Sequence, residues 1–538
     1  MSRRFGFPLL PAAFGLVVAL GLGTLVRVLP AVEGPLTPGD GGLIVVMVDD
    51  LRGSLPAMPE FTTYNGGAIP FVYPPLALYA AAVLAELVDA SSLAVVRVVP
   101  LMLSLLTLGA FAVLAGRLLA PAAAVGAVMA YALIPHAYDG IVAGGGLTRG
   151  AGLLLALLAM ILAASGPGLS RRSAVGLGVL LGLAALSHPQ AALFGAASSA
   201  VFAYRAGRLA PLLGRLALAA VVAGMVVAPW LLVVANEHGL GSVFAAGHRW
   251  EPLLGVIRIM GLTFSGAAFA DLLMALGVLG FVAELALRRF ALPALVVCLV
   301  LAGEAGAGFM AAVPWALLAG AGFGFLLAGI GPAATAADRA VRLGVAGGAL
   351  FLALLASLGS GVDETSRLQR VSEDQVTAMA WVADETDPET RFIVASTVVW
   401  GADEVSEWFP AIAGRQSIAT VQGSEWLGSE GFTAQRRRHL AVLTCTVLTD
   451  RCMAAWSAAD GLSDAWLFIP KGQLNGPLSA PDCCPALRET VRNGDHYEVV
   501  YDGKGATIGR PAAAFLTDVG LTDGSAVRGR WLPDLHGY

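Results

Sequence analysis

Residues 93–115, LAVVRVVPLMLSLLTLGAFAVLA, contain one charged side chain, Arg97, and otherwise only Ser104 and Thr107 as polar side chains in an apolar run. At about 1.5 Å rise per residue, a helix of that length covers the ~30 Å hydrocarbon core of a bilayer. The stretch therefore predicts a membrane span, and the pattern repeats on both sides of it. Apolar runs near 9–29, 119–137, 149–166, 173–188, 190–204, 213–235, 267–287, 290–304, 309–330 and 341–359 bring the expected spans to eleven. The chain of 538 residues is 57% hydrophobic and 13% charged, with mean hydropathy +0.75, whereas soluble domains are about a quarter charged. A net charge of −5 without a basic block argues against nucleic acid as a partner.

Ser2, Arg3 and Arg4 precede the first run, which is too long for a cleaved signal peptide and is read as a span with its amino terminus inside. Residues 76–88, after Tyr73-Pro74-Pro75, offer too few apolar positions to cross and are read as lying along the membrane surface. With that choice Arg117, Arg171-Arg172, the Arg205, Arg208 and Arg215 group, Arg288-Arg289, and Arg339 with Arg342 all face the cytoplasm, as the positive-inside rule requires. The expected fold is a multi-span α-helical membrane bundle, residues 1–360, including an outer loop at 30–92 with juxtamembrane helices. A soluble extracytoplasmic α/β domain, residues 361–538, follows. The implied location is the plasma membrane, multi-pass.

Titratable residues gather on the outer side of this topology. The first outer loop holds Glu33, Asp40, Asp49, Asp50, Arg52, Glu60 and Tyr64; the second holds His136, Asp139 and Arg149; the third has His188 before Pro189; the fourth has Glu237, His238, His248, Arg249, Trp250, Glu251 and Arg258. The inner loops carry little beyond arginine. Asp49-Asp50, at the end of a helix over 41–51, would lie roughly 15 Å from Asp40 and reads as solvated surface.

In layout the chain resembles the membrane-integral glycosyltransferases of the C superfold (GT-C), of the dolichyl-phosphate-mannose mannosyltransferase and oligosaccharyltransferase type. The features that carry the resemblance are Asp40 directly after the first span, the Tyr73-Pro74-Pro75-Leu76 run closing the first loop, Arg97 opening the next span and the long fourth outer loop. GGGLTRGAG at 144–152 and EWFPAIAGRQSIATVQGSEWL at 407–427 look like a prokaryotic subgroup of such proteins. The resemblance implies transfer of a hexose or pentose from a polyprenyl-phosphate donor to a glycan, lipid or protein acceptor at the outer face. Asp40 would be the general base and Asp139 its partner carboxylate across the cleft. Sugar transfer from a lipid phosphate needs such a base for the acceptor hydroxyl and cations for the departing phosphate. Arg149, His188, His248 and Arg249 are the phosphate candidates, and Tyr73 belongs to the same substrate-binding set. Arg258 reads better as an interfacial anchor. Asp40 before Gly41-Gly42 also suits a helix N-cap, and the glycines around Arg149 suit either anion binding or close helix packing. A divalent cation such as Mg or Mn between Asp40 and Asp139 fits the chemistry, although no compact metal-ligand spacing is present. Pro314-Trp315 is followed by Ala316 where related proteins often carry Arg.

In the last third, 372–385 reads as an amphipathic helix and 391–396, 465–469 and 497–501 as strands, which predicts a small sandwich with a central sheet. Trp400, Trp408, Phe409, Trp426 and Glu425 are read as loop residues. Of these, Trp408, Trp426 and Glu425 are the candidates for sugar binding; a docking surface or plain core is the alternative. Cys445, Cys452, Cys483 and Cys484 lie here, and an oxidising exterior favours disulfides. The vicinal Cys483 and Cys484 are expected to pair elsewhere, one of them with Cys445 or Cys452; a local Cys445–Cys452 bridge is the alternative. A transporter or lipid-handling protein is the rival function, and a glycan-binding protein on a non-catalytic GT-C scaffold the third.

Overall fold

The computed structural model describes residues 9–32, 34–37, 39, 41–67, 69–166, 168–204, 209–239, 241–242, 270–302, 308–329, 335, 348, 355, 371–446, 449–472 and 483–512. The chain divides into two units, Met1–Glu33 with Val72–Leu368 and Gly34–Phe71 with Gln369–Tyr538. Residues 34–71, grouped by the sequence with the membrane region, thus belong with the carboxy-terminal part.

The first unit opens with α1 (Leu9–Val32); α2 (Gly42–Ser54) belongs to the second unit. Next come α3 (Leu76–Leu87), α4 (Ser92–Leu118), α5 (Pro121–Leu133), the short α6 (Asp139–Val142), α7 (Gly146–Ala163) and α8 (Arg171–Ala185). They are followed by α9 (Pro189–Tyr204), α10 (Leu209–Glu237), α11 (Ala270–Ala286), α12 (Ala291–Leu301) and α13 (Gly308–Gly329). Local chemistry sets the starts. The Ser91 and Ser170 hydroxyls accept the N–H groups of Ala94 and Ser173 at the heads of α4 and α8, and Pro121 fills the first turn of α5.

Among the described residues five helices, α1, α4, α7, α10 and α13, are long and apolar enough to cross a membrane. The helices are those of a multi-pass protein, and the count of eleven spans is not confirmed among the described residues. The expected span at 119–137 breaks at Ile134, because Pro135 supplies no N–H and pushes its predecessor out of helical conformation; α5 and the following residues 135–142 form a pair bent by 90°. The runs at 173–188, 190–204, 267–287 and 290–304 do form α8, α9, α11 and α12, all of them short. The run at 341–359 falls almost wholly outside the described residues.

Between helices the driving force is close packing, since lipid is as apolar as the side chains. A Cβ on Gly322 of α13 would lie 2.2 Å from the Leu276 carbonyl oxygen of α11, and one on Gly280 of α11 would lie 1.9 Å from the Leu318 carbonyl oxygen. Gly322→Leu is accordingly expected to force the two helices apart, costing about 1–3 kcal/mol or more and lowering the melting temperature of the full chain in detergent. Unchanged melting would show that the two backbones do not approach this closely.

In the second unit, α14 (Glu373–Glu385), α15 (Glu404–Ala413), α16 (Gly428–Thr446), α17 (Asp450–Ala459) and α18 (Pro485–Asn493) accompany the hairpin β1 (Phe61–Thr62) and β2 (Ile69–Pro70) and a five-stranded sheet. The sheet strands are β3 (Arg391–Val394), β4 (Gln416–Ser417), β5 (Trp466–Pro470), β6 (Tyr497–Asp502) and β7 (Ala506–Pro511), in the order β4-β3-β5-β7-β6. β4, β3 and β5 run parallel; β7 and β6 join antiparallel. Alternate strand residues feed two cores. Phe392, Val394 and Phe468 pack with Met379, Val382 and Phe409 on one face, while Ile393, Leu467 and Ile469 pack with Val442, Met453 and Leu487 on the other. The helix at 372–385 and three of the strands were legible in sequence, and the sandwich about a central sheet is present.

Two disulfides join this unit, Cys445–Cys452 and Cys483–Cys484. The local bridge displaces the expected long-range one, because Cys445 in the last turn of α16 and Cys452 in the first turn of α17 have their Cα atoms 5.3 Å apart. The vicinal cysteines then pair with each other, contrary to expectation.

At the sheet edge, Arg492 and Thr507 donate to Asp502 at 2.8 Å and Lys471 also contacts it. Burial of Asp502 opposes its charged form, but hydrogen bonds from Arg492, Lys471 and Thr507 outweigh it and hold the carboxyl well below the usual range. With the folded pKa below an unfolded value of about 3.9, the stabilisation is fully present above that value and is lost as pH falls beneath it. Asp502→Asn is expected to flatten the fall in this unit's melting temperature between about pH 5 and pH 2, followed by circular dichroism. An identical slope in parent and variant would contradict this.

Candidate functional site

In the first unit the helix break after α5 presents Asp139. Pro135–Ala137 form one 3₁₀ turn and Asp139 starts α6, so the carboxylate folds back on the imidazole Nδ1 of His136 and on the Gly140 N–H. Gly308 at the start of α13 sits against His136, where a Cβ would come within 2.8 Å of the His136 Cβ. The adjacent Phe309 ring meets His188 edge-on with centroids 5.5 Å apart. His188 in turn lies against Gly152 of α7, one turn beyond Arg149, whose guanidinium acts electrostatically on the imidazole. The pair His136 and Asp139, at Gly308, and the pair His188 and Arg149, at Phe309, thus flank the head of α13.

His188 has a second task. Its Nδ1 accepts the Ala191 N–H at 3.3 Å, capping α9 and leaving Nε2 to carry the ring proton. Tyr73 is half-buried in the same unit, and its Pro-Pro-Leu continuation is tied to the His188 turn by the Leu76 N–H, which donates to the Leu186 carbonyl at 2.9 Å. The glycines around Arg149 serve packing: a Cβ on Gly146 would lie 2.0 Å from the Ile141 carbonyl oxygen, and the Gly146 N–H already donates to Ala143. Arg97, read as a family feature, donates to the carbonyls of Ala31 at 3.2 Å and Val32 at 3.1 Å and so caps the C-terminus of α1. Ala316 is fully buried in the bundle core.

In the second unit the decisive residues are Glu407 and Trp408, carried on α15. The Glu407 carboxylate accepts the N–H of Leu43 at 2.9 Å and that of Gly41 at 3.3 Å, capping α2 from far along the chain. The Trp408 indole donates to the Gly39 carbonyl at 3.0 Å, and Tyr64 donates its hydroxyl to the Glu407 carbonyl at 2.6 Å. Trp408 is 1% exposed and Phe409 0%, so the reading of Trp408 as an exposed sugar-binding loop residue is corrected: on α15 Trp408 is held to Gly39, while Phe409 packs into the sheet core against Phe392 and Phe468. Glu425 and Trp426 lie half-buried in a 3₁₀ turn, Ser424–Leu427. Burial, with the negative charges of Glu407, Glu425 and Asp403, pushes the Tyr64 hydroxyl well above its usual range and keeps it a donor. Burial also raises the Asp403 carboxyl, against hydrogen bonds from Ser406 and the nearby His439.

Asp40, His248 and Arg249 lie outside the described residues. Asp49 pairs with Arg52 at 3.7 Å, and Asp50 accepts from Thr62 and Thr63, clamping α2 to the hairpin. Among the described residues no three His, Cys, Asp or Glu side chains cluster as metal ligands. Asp40, which the sequence pairs with Asp139 around a divalent cation, lies outside the described residues. Glu407 is the buried capping group least visible in sequence; its signal is an acid inside an otherwise buried helix face.

No protein-family model matches the chain, and no curated protein matches it. Among solved structures, ArnT from Cupriavidus metallidurans in the apo state is similar with a TM-score of 0.56 and 16% identity, over 94% of this chain and 99% of that one. The Archaeoglobus fulgidus oligosaccharyltransferase tethered with an acceptor peptide gives a TM-score of 0.54 and 15% identity, over 91% of this chain and 79% of that one. AglB from the same organism, in complex with an inhibitory peptide and a dolichol-phosphate, gives 0.53 and 14%, over 85% and 69%. These neighbours are GT-C glycosyltransferases, and the resemblance read from the sequence holds at the level of fold.

Proposed function

We propose that the chain is a glycosyltransferase that moves one sugar from a polyprenyl-phosphate donor to an acceptor at the outer face of the membrane. The observation that carries this reading is the gathering of Asp139, His136, Arg149 and His188 at the head of α13, on a fold whose relatives include ArnT bound to undecaprenyl phosphate and AglB in complex with a dolichol-phosphate. Guanidinium and imidazole suit a phosphate leaving group, since Arg grips it with a fixed fork of donors. A carboxylate beside them suits orientation of the acceptor or of a second charged group. Asp40 is assigned as general base, taking the proton of the acceptor hydroxyl as that oxygen bonds to the anomeric carbon and the bond to phosphate breaks. His248 and Arg249 are further phosphate ligands, and the acceptor is a glycan, lipid or protein. The amino terminus is placed in the cytoplasm and the second unit outside.

The test uses the full-length chain in lipid nanodiscs with radiolabelled polyprenyl-phosphate hexoses and pentoses and a cell-envelope extract as acceptor. Release of polyprenyl phosphate together with label in the acceptor is expected. If every donor stays intact while binding and carriage of lipid across vesicles proceed, the transporter or lipid-handling reading replaces this one.

A further inference from the structure

Arg27 sits one turn from the end of α1 and is 0% exposed. A guanidinium in an apolar helix is costly unless its donors are spent, and such groups mark functional places in membrane bundles. Its Nη1 donates to the Gly23 carbonyl at 2.8 Å and the Ala132 carbonyl at 3.3 Å, and its Nη2 to the Tyr131 carbonyl at 3.4 Å. Tyr131 and Ala132 close α5, immediately before Ile134 and the break. Their carbonyls are among the last of that helix, which have no intrahelical partner and, in the absence of water, must be met from elsewhere. The fork of Arg27 meets two of them while its positive charge faces the negative end of the helix.

The plane of the guanidinium is engaged as well. Its Cζ lies 4.9 Å from the centroid of the Tyr138 ring and 5.8 Å from that of Tyr131, within cation–π range. Tyr138 is the residue directly before Asp139. Gly23 makes the space: a Cβ there would lie 3.0 Å from the Ala132 Cβ and 3.3 Å from Arg27 Nη1. One side chain thus holds both ends of the bend, the carbonyls where α5 stops and the ring where α6 begins.

We infer that Arg27 is a positioning residue, which fixes the 135–142 bend so that Asp139 and His136 stand together beside Arg149 and His188. What that bend is for rests on the proposed sugar transfer; the positioning itself does not, and neither readout below uses turnover. The full chain is compared in nanodiscs as parent, Arg27→Met and Tyr138→Leu. In Arg27→Met, amide hydrogen exchange over 134–143 is expected to quicken about tenfold, the factor for one lost charge-assisted hydrogen bond of ordinary strength, while the interiors of α4 and α13 exchange as in the parent. In ¹³C-histidine spectra the His136 signal, assigned with His136→Gln, is expected to move while that of His439 in the second unit stays. Tyr138→Leu should shift the same signal and leave the α5 end protected. Arg27→Lys covers the case in which the Met variant fails to fold: it keeps charge without the fork and should still quicken exchange over 134–143. Parent-like exchange in both Arg27 variants, or acceleration spread evenly through the bundle, would overturn the inference. Absence of sugar transfer in the parent would count against the proposed function alone.

Discussion

Asp40→Asn is expected to abolish sugar transfer while leaving the melting temperature of the chain unchanged. Asparagine keeps the size and polarity of the side chain but cannot accept the proton of an acceptor hydroxyl, and loss of a positioned base costs about 10²–10⁴-fold in rate. The folding half of the expectation follows from who caps α2. The N–H groups of Gly41 and Leu43 are met by Glu407, so the head of α2 has an acceptor besides residue 40, and asparagine caps a helix as well as aspartate does. Gly39 on one side is fixed by the Trp408 indole and Gly41 on the other by the Glu407 carboxylate, which leaves the backbone flanking position 40 held whichever residue stands there. Initial rates with a polyprenyl-phosphate sugar, read beside a thermal melt, separate the two roles. A variant with full activity removes Asp40 from catalysis, and one with lower melting restores the capping role.

Glu407→Ala should do the opposite, striking stability first. It strips the acceptor from the buried N–H groups of Gly41 and Leu43, and hydrogen bonds to a charged group contribute about 1.5–3 kcal/mol. In a unit of this size each kcal/mol moves the melting temperature by about 2–4 °C, so a drop of several degrees is expected by near-ultraviolet circular dichroism. Glu407→Gln retains one acceptor oxygen and should lose less. Transfer should fall in both variants, because residues 39–43 lose their hold. An alanine variant that melts with the parent would show that α2 is capped by something else.

The bundle was legible wherever chemistry is local. An apolar run long enough to cross a bilayer announces itself, as 93–115 does in α4, and the RFIV and WLFI strands stand out as short β-branched or aromatic runs between turns. Local signals failed where partners are distant. β7 reads ATIGRP, with a glycine where alternation would need a side chain; Gly509 is there because a Cβ would lie 3.1 Å from the Tyr497 Cβ. β4, at two residues, is below any pattern. Asp139, Arg149 and His188 stand out by residue type alone, whereas their placement beside Gly308 and Phe309 at the head of α13 depends on distant chain. Trp408 was misjudged because an aromatic beside an acid and a proline looks like a cleft wall, whereas burial of its ring is decided by a segment hundreds of residues earlier. Nothing in the local sequence singles out Arg27, since only the break in α5 gives its donors something to meet.

The second unit is assembled from two pieces of chain, and that imposes an order on its making. α2 leaves the ribosome early, while α15, whose Glu407 takes the N–H groups of Gly41 and Leu43 and whose backbone lies against Gly42, is encoded after the whole of the bundle. At about 5–20 residues per second the interval is on the order of tens of seconds. Throughout it the head of α2 lacks the carboxylate that completes it, and a polypeptide arrested before residue 404 would leave those N–H groups unmet by Glu407.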